Sequence, residues 1–239
     1  GRSLALATPC SVEATVISVR RATPSTRILR VQPDEAFRYR AGQVAEIGPE
    51  GATPVPYSIA SAPEDTIADG AIEFLVKIHA RERWGDHFDP LRRGQRLRLR
   101  GPLGRFTFPD QPAEREFLFI AGGTGIAPLR AMIRHARRSV SGSFRLLYSA
   151  RTPLDFAYRR ELCGMARRGE IEITLTATRD VTDVWRGERG RIAQTQLAAL
   201  IRTPETLCFV CGPASMVDEV PQMLRRLDIE TSRIRIDEW

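Results

Sequence analysis

The chain has 239 residues, of which 42% are hydrophobic and 27% are charged. These fractions are typical of a globular protein and argue against a disordered, collagen-like or disulfide-stapled chain. No uncharged stretch reaches the ~20 apolar residues that a membrane-spanning helix needs. The formal net charge is +7, and among 36 basic side chains only Lys77 is a lysine.

The positive charge favours acidic partners but does not choose among them. Basic runs such as Arg92-Arg93 and Arg137-Arg138 are short and scattered. This distribution is more typical of solvated surfaces than of a nucleic-acid interface, and no nucleic-acid motif accompanies it. We therefore expect no nucleic-acid partner.

The cysteines do not have the spacing of a metal or iron–sulfur site. Cys208 and Cys211 are close in sequence, but the first lies on a predicted strand, where residues three apart point to opposite faces. No metal is therefore predicted. Because nothing requires oxidation and no leader is recognised, a reducing cytoplasm is the expected compartment. The start at Gly1 without Met indicates a trimmed or excised chain.

Short β-like runs separated by proline and glycine occupy the first hundred residues. The six runs are residues 12–19, 27–31, 43–47, 57–60, 72–78 and 96–100. Short strands with turn signals between them predict a small antiparallel β-barrel or sandwich.

The second half alternates apolar strands with amphipathic helices. Strands are predicted at 117–121, 144–149, 171–176, 207–210 and 233–236, and helices at 127–138, 154–167 and 215–227. This alternation predicts an α/β domain with a parallel sheet and crossover helices. A polar, proline-bearing stretch at 109–116 marks the boundary between a domain at 1–110 and one at 111–239.

A glycine-rich turn follows the strand predicted at 117–121 and opens a helix. Its sequence is Gly122-Gly123-Thr124-Gly125-Ile126-Ala127-Pro128. Such a turn brings backbone N–H groups and a helix N-terminus towards a pyrophosphate, although the turn alone is weak evidence. Arg151 ends the next strand, where NAD sites usually carry an acidic residue, and this favours a nucleotide with a 2′-phosphate.

The first half contains two further marked segments. Pro56-Tyr57-Ser58-Ile59-Ala60-Ser61 places an aromatic ring beside hydroxyls that could bond to the edge of a flat ligand ring. Gly101-Pro102-Leu103-Gly104-Arg105-Phe106 is rich in turn residues. Taken singly, the first segment is explained equally well by a tyrosine of the barrel core, and the second by an ordinary turn between domains.

Together and in this order, these segments resemble the ferredoxin–NADP reductase family, in its bacterial oxygenase-reductase and flavodoxin-reductase branches. Gly42-Gln43 and Cys211-Gly212-Pro213, with Met216, extend the resemblance over nearly the whole chain. The resemblance implies an antiparallel flavin-binding barrel followed by a five-stranded parallel domain that binds a nicotinamide nucleotide. It also implies FAD, with FMN as the less favoured flavin, and NADPH or NADH as hydride donor.

The resemblance also assigns roles to individual residues. Tyr57 would stack on the isoalloxazine, Ser58 would lie near the flavin N5, and Cys211 would lie where the nicotinamide docks. The remaining residues implied for flavin are Ile59, Ala60, Ser61, Gly85 and Asp86, while Lys77, Arg81, Arg83 or His87 would compensate where the family's phosphate-binding residues are replaced. Those implied for the nucleotide are Gly122, Gly123, Thr124, Gly125, Pro128, Arg151, Thr178, Arg179, Gly212, Pro213 and Met216. At the end of the chain, Trp239 would cover the flavin as a gate, and Glu238 would relay a proton or bind near the nicotinamide.

The sequence departs from the family pattern in the flavin-phosphate region. Val55 stands where the family has an arginine, and Phe88 stands where it often has a serine. Near the nucleotide, Thr178-Arg179-Asp180 is similar to the family's Ser-Arg-Glu grip on a 2′-phosphate, but the lysine and tyrosine that complete this grip are absent. With Arg151, the segment still favours NADPH.

Two functions therefore stay open. The first is a flavoprotein oxidoreductase that takes hydride from NAD(P)H and passes single electrons to a separate acidic carrier, such as ferredoxin, flavodoxin or an oxygenase component. The alternative is a non-catalytic module with a degenerate flavin site, which senses nucleotide or binds a partner.

Overall fold

The structure is a computed structural model that describes residues 9–79, 90–179 and 184–238, with only the backbone of Glu238. The chain forms two compact units, which we describe separately. The barrel unit comprises Gly1–Phe108 with Arg130–His135, and the sheet unit comprises Pro109–Leu129 with Ala136–Trp239. Across the described ranges, no helix has the length and apolar character that crossing a bilayer requires.

The barrel unit is a six-stranded antiparallel sheet with the order β4-β3-β6-β1-β2-β5. Its elements are β1 Cys10–Thr23, β2 Thr26–Pro33, β3 Val44–Gly48, β4 Val55–Ser58, α1 Pro63–Asp69, β5 Ile72–Lys77 and β6 Arg96–Leu103. A bridge between Ile59 and Phe74 connects the two outermost strands. All six strands predicted from the sequence are confirmed, and the sheet is nearly closed into a barrel.

Strand β6 shows why the barrel forms. Leu97 and Leu99 are fully buried, whereas the intervening arginines are exposed. Each exposed arginine pairs with a carboxylate: Arg96 with Asp34 at 2.5 Å, Arg98 with Glu13 at 2.8 Å and Arg100 with Glu46 at 3.6 Å. The period-two alternation therefore places leucine in the core and a row of paired charges on the outer wall.

The sheet unit contains a parallel sheet with the order β10-β9-β8-β7-β11-β12. Its elements are β7 Glu116–Gly122, α2 Ile126–Ser139, β8 Ser143–Ala150, α3 Arg159–Arg167, β9 Glu172–Ala177, β10 Glu188–Arg189, α4 Gln194–Leu200, β11 Leu207–Gly212, α5 Ala214–Arg225 and β12 Ile234–Glu238. The middle of α2 is counted with the barrel unit. The five predicted strands are present, so the α/β prediction is confirmed.

The structure differs from the sequence prediction in three elements of the sheet unit. Strand β10 adds a sixth, two-residue strand, and helix α4 was not predicted. The helix predicted at 154–167 begins only at Arg159, because Pro153–Asp155 forms a 3-10 turn and Tyr158 has a left-handed backbone with φ of 59°. A left-handed residue interrupts a right-handed helix, so the two segments cannot merge.

The central strands of this sheet are buried on both faces, as expected of a parallel sheet. All residues of β11 are buried, and Phe209 stacks on Phe119 with ring centroids 5.2 Å apart. Cys208 packs into a core cluster with Leu118 and Val210, and burial raises the pKa of its thiol to about 12. The thiol is therefore neutral and inert at physiological pH.

Candidate functional site

Tyr57 and Ser58 end strand β4, which pairs with β3. The Tyr57 ring belongs to the barrel core and is 9% exposed. The hydroxyl oxygen of Ser58 is buried and has no hydrogen-bond partner among the described residues. A buried hydroxyl without a partner costs roughly 1–3 kcal/mol. Ser58 therefore fits a site in which a ligand atom supplies the missing bond.

The backbone after Ser58 is fixed by hydrogen bonds. The N–H of Ile59 donates to the Gln43 carbonyl at 2.9 Å, and the N–H of Ala60 donates to the Glu73 carbonyl at 2.7 Å. The Ile59 side chain is fully buried in the barrel core. Because both the side chain and the N–H of Ile59 are bound within the protein, Ile59 holds the segment after Ser58 in place.

The Tyr39 hydroxyl anchors the end of this segment. It lies 2.9 Å from the Ser61 hydroxyl, 2.7 Å from the Thr66 hydroxyl and 3.1 Å from the Ala62 carbonyl. The Ser61 hydroxyl in turn accepts a bond from the N–H of Glu73 at 3.0 Å. Burial raises the pKa of Tyr39, so the hydroxyl stays protonated and remains a donor. The sequence analysis did not find Tyr39.

A buried ion pair supports the same segment. Arg130 donates from Nη1 to the Ala60 carbonyl at 2.7 Å and pairs with Glu73 at 3.0 Å. Both side chains are about nine-tenths buried. Arg130 belongs to the barrel unit by its contacts, although its helix begins at the glycine-rich turn. The sequence analysis missed this residue too.

In the sheet unit, the glycine-rich turn packs against the end of β11. A Cβ on Gly125 would lie 2.2 Å from the Cys211 carbonyl oxygen. A Cβ on Gly122 would lie within 2.9 Å of Pro213 and Met216, and one on Gly212 would lie 2.7 Å from the Met216 sulfur. The structure thus brings together these six residues, which the sequence analysis assigned to one site.

Gly123 differs from the glycines beside it. It is exposed, its φ is 55°, and a Cβ there would meet no atom of the described residues within 4 Å. The 3-10 turn Gly123–Gly125 leads directly into the fourteen-residue helix α2, with Pro128 in its first turn. Open space at a helix N-terminus, where the first backbone N–H groups are not needed for the hydrogen bonds of the helix, suits an anion. The turn therefore fits a pyrophosphate.

Two arginines end neighbouring strands at the same edge of the sheet. The N–H of Thr178 donates to the Ala150 carbonyl at 2.9 Å, and the N–H of Arg179 donates to the Arg151 carbonyl at 2.8 Å. Arg151 and Arg179 are exposed, and no ion pair joins either of them to a described carboxylate. Ligands of open α/β sheets bind at this edge. Two exposed arginines whose backbones are bonded to each other there fit a second phosphate.

The remaining predicted residues are less informative. Lys77 is exposed at the end of β5, and Val55 begins β4 opposite Ile47. Glu238 pairs through its backbone with Gly212. Six of the predicted site residues lie outside the described residues, namely Arg81, Arg83, Gly85, Asp86, His87 and Trp239.

Two family models match the chain. The model for the oxidoreductase FAD-binding domain matches residues 13–108, and that for the oxidoreductase NAD-binding domain matches residues 119–222. The first range covers the barrel strands and the second covers the glycine-rich turn and Cys211.

The chain is also similar to named reductases. It is 32% identical to ferredoxin–NADP reductase B of Sorangium cellulosum, over 95% of this chain and 97% of that protein. It is 29% identical to oxidoreductase NAD-binding domain-containing protein 1 of Bos taurus, over 95% of this chain and 80% of that protein. Among solved structures, the ferredoxin reductase of carbazole 1,9a-dioxygenase superposes with a TM-score of 0.82 and 28% identity, over 97% of this chain and 70% of that one.

Proposed function

The chain belongs to the ferredoxin–NADP reductase family, and we propose that it takes hydride from NADPH onto FAD and passes single electrons to a separate acidic carrier protein. FAD and a nicotinamide nucleotide are its cofactors, and it is an electron-transfer oxidoreductase of the ferredoxin reductase type. When bound, FAD supplies the chemistry that converts a two-electron hydride into two separate electrons. The preference for NADPH, the roles of individual residues and the identity of the carrier protein are the parts that we propose.

The buried hydroxyl of Ser58 is the observation that most supports an active flavin site. It has no partner in the described part of the chain, so a hydrogen-bonding flavin edge would satisfy it. Tyr57, the preceding residue, supplies the aromatic ring. The fixed backbone of Ile59 and Ala60 keeps both side chains in position.

The glycine-rich turn would hold the pyrophosphate of the nucleotide. Gly123 and Thr124 offer backbone N–H groups at the start of α2, while Gly125 allows the turn to pack on Cys211. Cys211 is the last residue but one of β11 and is fully buried, and its role would be to pack beside the nicotinamide. No covalent step on its sulfur is needed.

Arg151 and Arg179 support NADPH over NADH. Their backbones are hydrogen-bonded to each other and both side chains are exposed. A 2′-phosphate would bring a doubly charged group to this pair, whereas NADH would bring only a ribose hydroxyl. The family's lysine and tyrosine that help to bind the 2′-phosphate are absent from this chain. We propose that these two arginines, with Thr178, bind the 2′-phosphate instead.

The net charge of +7 favours an acidic carrier, such as a ferredoxin, a flavodoxin or an oxygenase component. Opposite charges accelerate the encounter, and added salt screens them. The rate of carrier reduction is therefore expected to fall as salt is raised from 10 to 300 mM, with the rate of flavin reduction as the control. A rate of carrier reduction that does not respond to salt would exclude the acidic-carrier assignment.

The test of the function is an anaerobic visible spectrum of the purified protein with added FAD, recorded before and after NADPH or NADH. We expect flavin absorption bands that bleach with both nucleotides and faster with NADPH. A protein that stays colourless in the presence of FAD would instead support the non-catalytic module. Faster bleaching by NADH would retain the reductase and reverse the nucleotide preference.

A further inference from the structure

The hydroxyl of Tyr148 is bonded to the glycine-rich turn from inside the sheet unit. Tyr148 lies in β8 and is fully buried. Its hydroxyl donates to the Gly123 carbonyl at 3.0 Å and accepts a bond from the N–H of Ala157 at 3.2 Å. Burial raises the pKa of this phenol, so the proton that it donates is retained.

The Gly123 carbonyl is held from two directions. It also accepts the N–H of Ile126, the first residue of α2. A carbonyl oxygen has two lone pairs, so Tyr148 and Ile126 together satisfy it. In a trans peptide the C=O and the N–H point in opposite directions. With the Gly123 oxygen turned towards Tyr148, the N–H of Thr124 is turned away from it.

The outward side of this peptide is the open side of the turn. Gly123 is exposed there and has no atom within 4 Å of its Cβ position. The same side carries the helix N-terminus to which the proposed function assigns the pyrophosphate. We propose that Tyr148 is a positioning residue that fixes the Gly123-Thr124 peptide so that its N–H faces the nucleotide pyrophosphate. This inference rests on the proposed function of the turn.

The Tyr148 ring is itself held by packing. Phe156 meets it edge to face, with centroids 5.0 Å apart and an interplanar angle of 84°. Phe156 stacks in turn on Trp185 at 5.4 Å. Because the ring is fixed on this side, the hydroxyl has one position, and loss of its oxygen leaves the ring in place.

The test is Tyr148→Phe, with binding measured by calorimetry on the FAD-loaded protein with oxidised nucleotides, so that no turnover is needed. We expect the dissociation constants of NADP⁺ and NAD⁺ to rise by the same factor, about three- to tenfold, for one lost hydrogen bond. Adenosine 2′-phosphate has no pyrophosphate, so its affinity should be unchanged. An equal loss of affinity for adenosine 2′-phosphate would mean general distortion and would overturn the proposal.

One further variant separates this inference from the function on which it rests. Gly123→Val strains a left-handed position and fills the open space, so it should abolish dinucleotide binding without touching Tyr148. If Gly123→Val loses binding and Tyr148→Phe does not, the positioning role is wrong and the proposed site stands. If neither variant loses binding, the turn does not hold the pyrophosphate, and both are wrong.

Thr206→Val is the control for loss of a buried hydroxyl in the same unit. It removes a fully buried hydroxyl that donates to the Thr203 carbonyl at 2.7 Å, so it should leave the NADP⁺ dissociation constant unchanged. An equal loss of nucleotide affinity in Tyr148→Phe and Thr206→Val would overturn the assignment to Tyr148. The FAD spectrum of Tyr148→Phe should match that of the wild type, which verifies that the barrel unit is intact.

Discussion

The N–H of Arg179 donates to the carbonyl of Arg151 at 2.8 Å, which joins two exposed arginines at the ends of neighbouring parallel strands. They are 28 positions apart in the sequence, and the register of β8 and β9, which pairs Ala150 with Ala177, brings the ends of the two strands together. A single phosphate can contact both guanidinium groups only if the strands end together in this way.

Arg179→Ala is expected to raise the KM for NADPH at least tenfold and to change that for NADH by less than twofold. With NADPH the variant loses a charged hydrogen bond to the 2′-phosphate, whereas with NADH it loses no hydrogen bond. Steady-state kinetics with both nucleotides measure this. Arg160→Ala removes one exposed arginine of α3 and so controls for net charge. Equal losses with the two nucleotides would contradict the 2′-phosphate site.

Ser58→Ala is expected to have opposite effects on stability and catalysis. The apo protein should be as stable as the wild type or more stable, because the substitution removes a buried hydroxyl that has no partner among the described residues. Flavin reduction by NADPH should slow at least tenfold. Thermal unfolding of the apo protein and stopped-flow reduction of the FAD-loaded protein measure the two effects. A strongly destabilised apo variant would show that the hydroxyl serves the fold instead.

Gly125→Ala is expected to destabilise the sheet unit by about 2–3 kcal/mol through overpacking. Its φ of −59° suits alanine, so the cost comes from the new Cβ, which would lie 2.2 Å from the Cys211 oxygen. Gly164→Ala in α3 is the control, since its Cβ would meet only the end of the Arg168 side chain at 3.3 Å. Alanine there should be neutral or stabilising by up to about 1 kcal/mol. Urea unfolding of both variants tests this contrast.

Arg130→Leu is expected to cost about 3 kcal/mol, because it leaves Glu73 buried without its closest cation. Arg30, 3.8 Å from Glu73, keeps the cost from being larger. Arg134→Leu should cost only about 1 kcal/mol, since the Arg134–Asp65 pair is more exposed. Denaturant unfolding measures both values. Glu73→Leu in the Arg130→Leu background should recover most of the loss, and a failure to recover would contradict the ion-pair explanation.

The free energy of unfolding is expected to decrease at alkaline pH, because the buried thiol of Cys208 resists ionisation. Its folded pKa is about 12 against 9.0 for an ordinary thiol, so above pH 9 the folded state holds a proton that the unfolded state releases. Stability is full below pH 9 and declines as the pH rises towards 12, by about 1.4 kcal/mol per unit for one proton. Urea unfolding from pH 8 to 10 should be flatter for Cys208→Ala. Identical slopes would remove Cys208 as the cause.

The sequence predicted those features that depend on local pattern. Alternating and continuous apolar runs identified the strands, because strand periodicity is visible within a few residues. Helices α1 and α4 escaped prediction because each has only seven residues, and α1 buries none of them. Strand β10 has two residues, which is too short for any periodicity.

The residues that support the site could not be predicted because their partners are distant in sequence. Arg130 bonds to Ala60 across 70 positions, Tyr148 to Gly123 across 25, and Tyr39 to Ser61 across 22. No local pattern distinguishes these side chains from other core or helix residues. The motif residues were predicted because their order and spacing carry the family resemblance. That resemblance does not indicate which side chains hold the motif residues in place.

The close packing of Gly125 on Cys211 affects how the glycine-rich turn should be interpreted in related chains. Gly125 is required by the backbone of β11 and Gly122 by Pro213 and Met216 at the start of α5, whereas Gly123 faces open space among the described residues. A descendant that lost its nucleotide would still need Gly122 and Gly125 to fold, but could replace Gly123 with a residue such as Asn that tolerates a left-handed backbone. The middle glycine is therefore the position whose substitution would distinguish an inactive homologue from a working one.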